Sequence, residues 1–387
     1  MNNNNIGKNI IETIIIVFTF ILNPFFSVLV SLLFALHKRS SYYNLVLIIN
    51  LSLFIGLLNS TKIPEKDLLA YYEIYMDVPM YSLSGYLALL DREFIYYLVS
   101  YIFYFLTNGS WKLFIILVTF ISYFLILKSN YIIVKKLKTT NIKICFIILN
   151  VAFFFPLFTH SAHLLRNFIA GAFILYFLTN YYFLNINKWW ILLIAIFIHS
   201  SALLFSIIYL LKSKYSYKRK IIFIIPMLIL FFLVGDLSYI QSTYQFGRIN
   251  DFLIQENQFM LSDLVYPLVF ISFGLLTFIV LKNTYKNSEI LYSIKKYLIL
   301  LFVLVLISGF SLVFTNLLVQ RVLLYVFILS TIYISLFVSV KNKFSSIISP
   351  ILTTIIFFTF IDNYNTGVWE YASIYELLTN PIYSYFY

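Results

Sequence analysis

Charge is scarce in this chain: 11% of its 387 residues are charged, against 62% hydrophobic and 20% aromatic. A soluble domain cannot hide that much apolar surface, because burial is limited by surface-to-volume scaling. There is one cysteine, Cys145, and it lies in an apolar run. Disulfides and thiolate metal clusters are thereby excluded. Closely spaced His/Cys sets and paired acidic motifs with ligand spacing are missing, so no metal site is expected. Gly-rich phosphate loops and serine-hydrolase elbows are missing too. The start, "MNNNNIGKNIIETIIIVF", has one early Lys8 and then an apolar stretch reaching Leu36. It offers no small-residue cleavage site and does not read as a cleaved signal. No soluble domain, internal repeat or low-complexity tract is found beyond the short Asn run.

What is there is a series of apolar runs, near 10–36, 43–58, 94–106, 111–127, 143–158, 164–184, 189–211, 221–234, 265–281, 297–316, 322–340 and 344–361. Many approach the length that crosses about 30 Å of hydrocarbon. The expected fold is an all-α polytopic membrane protein, a single integral membrane domain over 1–387 with about 10–12 transmembrane helices. The formal charge of +12 sits in short blocks between the runs: "HKRS" (37–40), "KSNYIIVKKLK" (128–138), "KSKYSYKRK" (212–220), "KNTYKNSEILYSIKK" (282–296) and "KNK" (341–343). That is the pattern of membrane loops rather than a nucleic-acid-binding face. The positive-inside rule puts these blocks in the cytoplasm, with 1–9, 59–110, 159–163, 235–264, 317–320 and 362–387 facing outward. Parity then requires 94–106 to be an interfacial or re-entrant helix. The run 189–211, bounded by Lys188 and "KSKYSYKRK", is expected to be a broken or re-entrant pair with His199 near its turn, a single crossing with a weakened charge rule being the alternative. In 10–36, "NP" at 23–24 marks a kink or split.

In this topology "FFFPLFTHSAHLLRNFIAGAFILYFL" (153–178) places His160, His163 and Arg166 at the outer end of a helical hairpin. Spacings of three put them on roughly one side if the helix extends that far back. Gly171 and its alanine neighbours would let another helix approach closely. An arginine at a membrane boundary is costly, so a functional role is the default; snorkelling to headgroups is the bland alternative. His199 in "AIFIHSSALLF" is the most membrane-embedded histidine, a packing residue or a proton acceptor. The outward stretch 59–93 alternates Asp67, Glu73, Asp77, Asp91 and Glu93 with Tyr71, Tyr72, Tyr75 and Tyr81, which suits sugar rings. Asp67 with Tyr71 at i+4 is the pair that stands out from an ordinary solvated loop. Two further outward arginines, Arg248 in "YQFGRIND" and Arg321 in "NLLVQRVLLYVF", would converge with Arg166 into a site for phosphate or pyrophosphate.

At these residues the chain resembles the EpsG branch of the Wzy-type polysaccharide polymerases. The segments are "DLLAYYEIY" (67–75), close to an Asp-Tyr-x-x-Tyr pattern, and "REFIYYLVSYIF" (92–103), with Arg92 and with Glu93-Phe94 where Glu-Pro is usual. "LLRNFIAGAFILYFL" (164–178) resembles the Arg-Gln-x-Ile-Ala element, with Asn167 for the usual Gln. "AIFIHSSALLF" matches a His-x-Ser-Ala element, and "QRVLLYVF" (320–327), with Tyr325, resembles a late Arg-x-x-x-Tyr segment. The resemblance spans about 60 to 327 and rests on the order and spacing of short pieces.

The resemblance implies a membrane glycosyltransferase of GT-C-like architecture at the outer face of the bacterial cytoplasmic (inner) membrane. It implies the joining of undecaprenyl-pyrophosphate-linked oligosaccharide units into O-antigen, capsule or exopolysaccharide, with no cofactor, nucleotide sugar or metal. Implied partners are the lipid-linked donor and acceptor, membrane lipids, and a chain-length regulator and flippase of the same pathway. Arg166 and Arg321, supported by Arg248, would stabilise the leaving pyrophosphate. His199 would serve as base or base support, with His163 and Asp67 as rivals. His160, Tyr71, Arg92, Glu93, Asn167 and Tyr325 are expected to contact substrate. An O-antigen ligase is the near alternative, but it typically carries a larger outer loop than 235–264. A lipid-linked oligosaccharide flippase or transporter should show two similar halves and charges along a central path.

Overall fold

The computed structural model describes residues 3–65, 67–88, 93–205, parts of 269–282, 289–311, 316–340, 343–364, 369–370 and 373–386. Among these residues the architecture is all-α; backbone pairing of the strand type is limited to an isolated antiparallel bridge between Lys62 and Trp369. Three stretches are long and apolar enough to cross a membrane: α3 (Ser41–Ser60), α7 (Trp111–Lys136) and Ser345–Asp362 of α14 (Lys343–Tyr364). A fourth is the pair α8 (Asn141–Ala152) and α9 (Phe155–His163), bent by 46° at the break ahead of Pro156. The protein is therefore a multi-pass membrane protein, but the described residues do not supply the ten to twelve plain crossings expected from hydropathy. Several apolar runs instead form helices too short to span, because proline or an extended residue interrupts them.

The first run is the clearest case. Asn23 is extended and its side chain accepts from the Phe26 amide, ending α1 (Asn3–Leu22) and capping α2 (Pro24–Lys38) with proline at its start. The two helices then fold back on each other. Ser27 Oγ donates to the Ile16 carbonyl at 2.8 Å, and Lys38 Nζ pairs with Glu12 at 2.7 Å. Tyr43 also donates to the Glu12 carboxylate and to Asn9 Oδ1. Asn9 and Glu12 thus lie at the same end as the basic block 37–40, which corrects the expectation that 1–9 faces the opposite side. The charge rule counts basic residues and cannot register a hairpin inside one apolar run.

Among the described residues, lysines of the block 128–138 and of α8 lie at that end too, while the block 212–220 lies outside the described residues. Lys135 reaches Ser41 Oγ, and Lys143 donates to the Val340 carbonyl and Ser345 Oγ. The opposite end is closed by the C-terminal region: Glu370 N donates to the Thr61 carbonyl, Glu370 pairs with Lys112 at 2.8 Å, and Trp369 stacks on Tyr364 with centroids 4.2 Å apart. Asn23 Nδ2 donates to the Leu378 carbonyl in α15 (Ile374–Thr379), drawing the α1–α2 turn to the same tail.

The centre is built from α7 and α10 (Leu165–Phe183), with α3 and α13 (Asn316–Ser339) packed against them. α10 is buried on nearly every side, as a helix apolar all round should be. By contrast α14 exposes Ile347, Ile351, Ile355 and Phe358, a stripe at helical spacing suited to lipid. Gly171 lets α13 approach α10: a Cβ there would lie 2.4 Å from Ile328 Cδ1 and 3.4 Å from the Tyr325 ring. The close approach expected of the small-residue face is thus present.

Candidate active site

Three breaks in helical structure, together with α4, bring the polar residues together. α6 (Phe94–Leu106) starts at Phe94, so Glu93 occupies its N-cap position. Its carboxylate makes no cap bond and is directed elsewhere. α9 ends at Leu164 (φ −119°, ψ 55°), and α10 begins there without a side-chain cap, placing Arg166 in its first turn. α11 (Trp189–Ile198) ends at His199, which is extended, and a 3₁₀ turn, Ser200–Phe205, follows. α4 (Asp67–Met76) carries Tyr71 over the same place.

Arg166 is the hub. Its Nη1 forms an ion pair with Glu93 Oε2 and donates to Tyr97 Oη at 2.7 Å, while Nε donates to Tyr71 Oη at 3.2 Å. Both phenol rings also lie beside the guanidinium, with centroids 4.9 Å (Tyr71) and 5.5 Å (Tyr97) from Cζ, a cation–π contact in each case. A cation in the first turn of a helix opposes the positive end of the macrodipole, so nothing local in α10 favours an arginine at this position. The positive helix end and the guanidinium together favour an anion.

Glu93 is shared. Its Oε1 lies 3.4 Å from His199 Nε2, and the Glu93 and His199 residues are 8% and 6% exposed, little enough for the charge to be felt across the pair. On the other side of the imidazole, the Ser201 amide donates to Nδ1 at 3.2 Å, and Ser201 Oγ lies 2.7 Å away. An amide can only donate, so Nδ1 is the bare nitrogen and the ring proton belongs on Nε2, facing Glu93. Ser201 Oγ is in turn 2.7 Å from Tyr325 Oη on α13. One polar chain therefore runs Tyr71–Arg166–Glu93–His199–Ser201–Tyr325. It draws on α4, the start of α6, α10, the end of α11 and α13. Tyr325 is held there by the Gly171 contact and by the Phe205 ring at 5.1 Å.

Of the residues expected from sequence, the fold unites Arg166, His199, Glu93, Tyr71 and Tyr325. Asn167 is buried beside Arg166, and its Oδ1 has no hydrogen-bond partner among the described residues. Asp67 is exposed at the start of α4, one turn from Tyr71. The histidine–arginine face does not form as one helix surface, because α9 and α10 are separate helices broken at Leu164; the His160 ring instead packs on Phe327, 5.1 Å between centroids. The side chains of His163 and Arg321, and Arg92 and Arg248 entirely, lie outside the described residues; Arg321 falls four positions before Tyr325 in α13. Tyr97 and Ser201 were not foreseen. Signals were available: Ser201 is the serine of the His-x-Ser-Ala element, and Tyr97 follows Glu93 by one helical turn within "REFIYYLVSYIF".

Compared with known protein families, residues 41–377 match the EpsG family. No curated protein and no solved structure matches the chain. The family match supports a polysaccharide-polymerase type of function and the handling of lipid-linked oligosaccharides in general.

Proposed function

We propose, from the premise that the chain belongs to the EpsG family, that it is a metal-independent glycosyltransferase polymerising lipid-pyrophosphate-linked oligosaccharide units. It acts at the outer face of the bacterial cytoplasmic membrane, with GT-C-like architecture and α6 lying at the interface. The observation that carries this reading is the Arg166–Glu93–His199 cluster: a cation for a leaving pyrophosphate and an imidazole with a bare nitrogen, joined by one carboxylate. A hydroxyl of one lipid-linked unit attacks the anomeric carbon of the sugar on the other. The new C–O bond forms as the bond from that carbon to the pyrophosphate oxygen breaks, and the lipid pyrophosphate leaves against Arg166, with Arg321 and Arg248 as its further cations. The hydroxyl proton passes to Ser201 Oγ as the serine proton passes to His199 Nδ1, and Glu93 stabilises the imidazolium. Tyr71 and Tyr97 orient the guanidinium, and the ring of Tyr71, which unlike Tyr97 is only half-buried, borders the place where a sugar would lie.

The test is a synthetic lipid-pyrophosphate repeat unit given to the purified chain in nanodiscs with EDTA present, read as a product ladder on a gel. A ladder from the wild type that is lost in Arg166→Gln and in His199→Gln is the expected result. Absence of a ladder, with lipid-linked sugar instead moving across liposome bilayers, would replace the polymerase with a flippase.

A further inference from the structure

Glu93 touches both the cation and the imidazole. Oε2 is paired with Arg166 Nη1, and Oε1 faces His199 Nε2 at 3.4 Å. The contacts of Arg166 to Glu93, Tyr97 and Tyr71 engage Nε and Nη1. A guanidinium has five N–H donors, so the Nη2 edge is a further face for an anion. The Glu93 charge, however, lies within direct contact of the guanidinium and cancels much of its pull on any second anion. A carboxylate that only anchored Arg166 would have no need to reach His199. One that only oriented His199 would be better placed away from the cation.

We propose that Glu93 is a charge gate that couples anion binding at Arg166 to the proton affinity of His199. This inference rests on the anion-binding role given to Arg166 above. An anion at Arg166 competes with Glu93 for the guanidinium. The carboxylate then interacts more fully with His199, whose imidazolium form it favours. Linkage makes the effect reciprocal: a proton on His199 draws Glu93 away and strengthens anion binding. The base is thus strengthened when a pyrophosphate is in place, and its basicity is held back otherwise. Among the described residues, the charged and titratable groups around Glu93 include Arg166 from α10, His199 from α11, Tyr97 on its own helix and, through Arg166, Tyr71 from α4. Glu93 is on this account a positioning residue and Arg166 and His199 the catalytic ones.

The test is calorimetric titration of the full chain in nanodiscs with geranyl pyrophosphate, a short prenyl pyrophosphate, at low salt and pH 7, alongside ladder synthesis. Glu93→Gln keeps the shape and removes the charge. It is expected to bind the probe at least about tenfold more tightly than wild type while ladder synthesis falls at least about tenfold, since the competing charge and the support of the imidazolium are lost together. A residue with a merely structural role would lose both. Should Glu93→Gln not remain monodisperse, Glu93→Asp, which withdraws the carboxylate by one methylene, is expected to shift binding in the same direction by less. Glu93 variants binding no tighter than wild type, with binding still abolished by Arg166→Gln, would overturn the gate alone. Binding absent from wild type, or indifferent to Arg166→Gln, would overturn the anion site and the gate with it.

Discussion

Two buried polar networks stand in the same bundle and differ in kind. In the helix middles, Asn130 of α7 donates to Thr331 Oγ1 and accepts from Ser335 Oγ, both on α13. Asn59 likewise joins α3 to Thr119 of α7 and to the Ser161 carbonyl of α9. These are neutral, short-range links of the sort that hold membrane helices together, each worth roughly 0.5–2 kcal/mol. Arg166, Glu93 and His199, by contrast, put ionisable groups into a similarly enclosed setting, tied to helix ends. Neutral amides suffice to pack α7 against α13, so packing does not account for the charges. Burying an ion pair costs desolvation that a neutral or apolar contact avoids. The comparison sets an amide network that suffices for cohesion against a charged network that cohesion does not require, and the latter is where the proposed chemistry is assigned.

The sharpest way to break this contrast is to remove one charge. Arg166→Gln should abolish the product ladder, and by leaving the Glu93 carboxylate buried without its cation it should also destabilise the fold by about 3–5 kcal/mol; thermal unfolding in detergent checks the second effect. His199→Gln should lower the polymerisation rate by about 10²–10⁴-fold, the usual contribution of general base catalysis, with the unfolding midpoint changed far less. Equal losses of stability in both variants would erase the distinction between cation and base. On the cohesive side, Asn130→Ala should destabilise by about 1–3 kcal/mol, since the Ser335 hydroxyl loses its acceptor and Thr331, which still donates to the Ile328 carbonyl, loses its donor. Its turnover per folded molecule should stay at the wild-type level, and a large loss of turnover would show that the two networks are one.

A bridge between the two regions is Gly171, where any side chain meets Ile328 and the Tyr325 ring. Gly171→Ala should cost about 1–3 kcal/mol by overpacking, and Ile328→Ala in the same chain should restore much of it. The smallest effect is expected at Asp67, exposed at the start of α4. Asp67→Asn should change the polymerisation rate by less than about threefold, since an exposed charge at a helix start is worth roughly 0.3–1 kcal/mol. A loss as large as that of His199→Gln would return Asp67 to the role of base.

Much of the fold was legible because its signals are local. Apolar runs of spanning length gave α3, α7 and α14, and "NP" gave the break between α1 and α2. The turn at His199 followed from a run bounded by basic residues at both ends, and the short α6 followed from parity. The hairpin of α1 on α2 was not legible, since it rests on Glu12 meeting Lys38 and Tyr43. Nor was the break at Leu164, which carries neither proline nor glycine and separates His160 from Arg166.

For the site, the sequence by itself determined which residues were costly enough to need a reason: Arg166 and His199 within or beside apolar helices, and Glu93 at the head of another. It also determined that small residues line α10. The tertiary structure decided which charges meet, pairing Arg166 with a carboxylate 73 positions away and linking Ser201 to a phenol 124 positions away. The physical reason lies in the solvent. In a soluble helix the buried face differs from the wet one, so amphipathic period forecasts contacts. Here lipid and core are both apolar, as the lipid-facing stripe of α14 and the enclosed surface of α10 show. Helix faces are then selected by close packing and a few hydrogen bonds between distant segments, and these leave no period in the sequence.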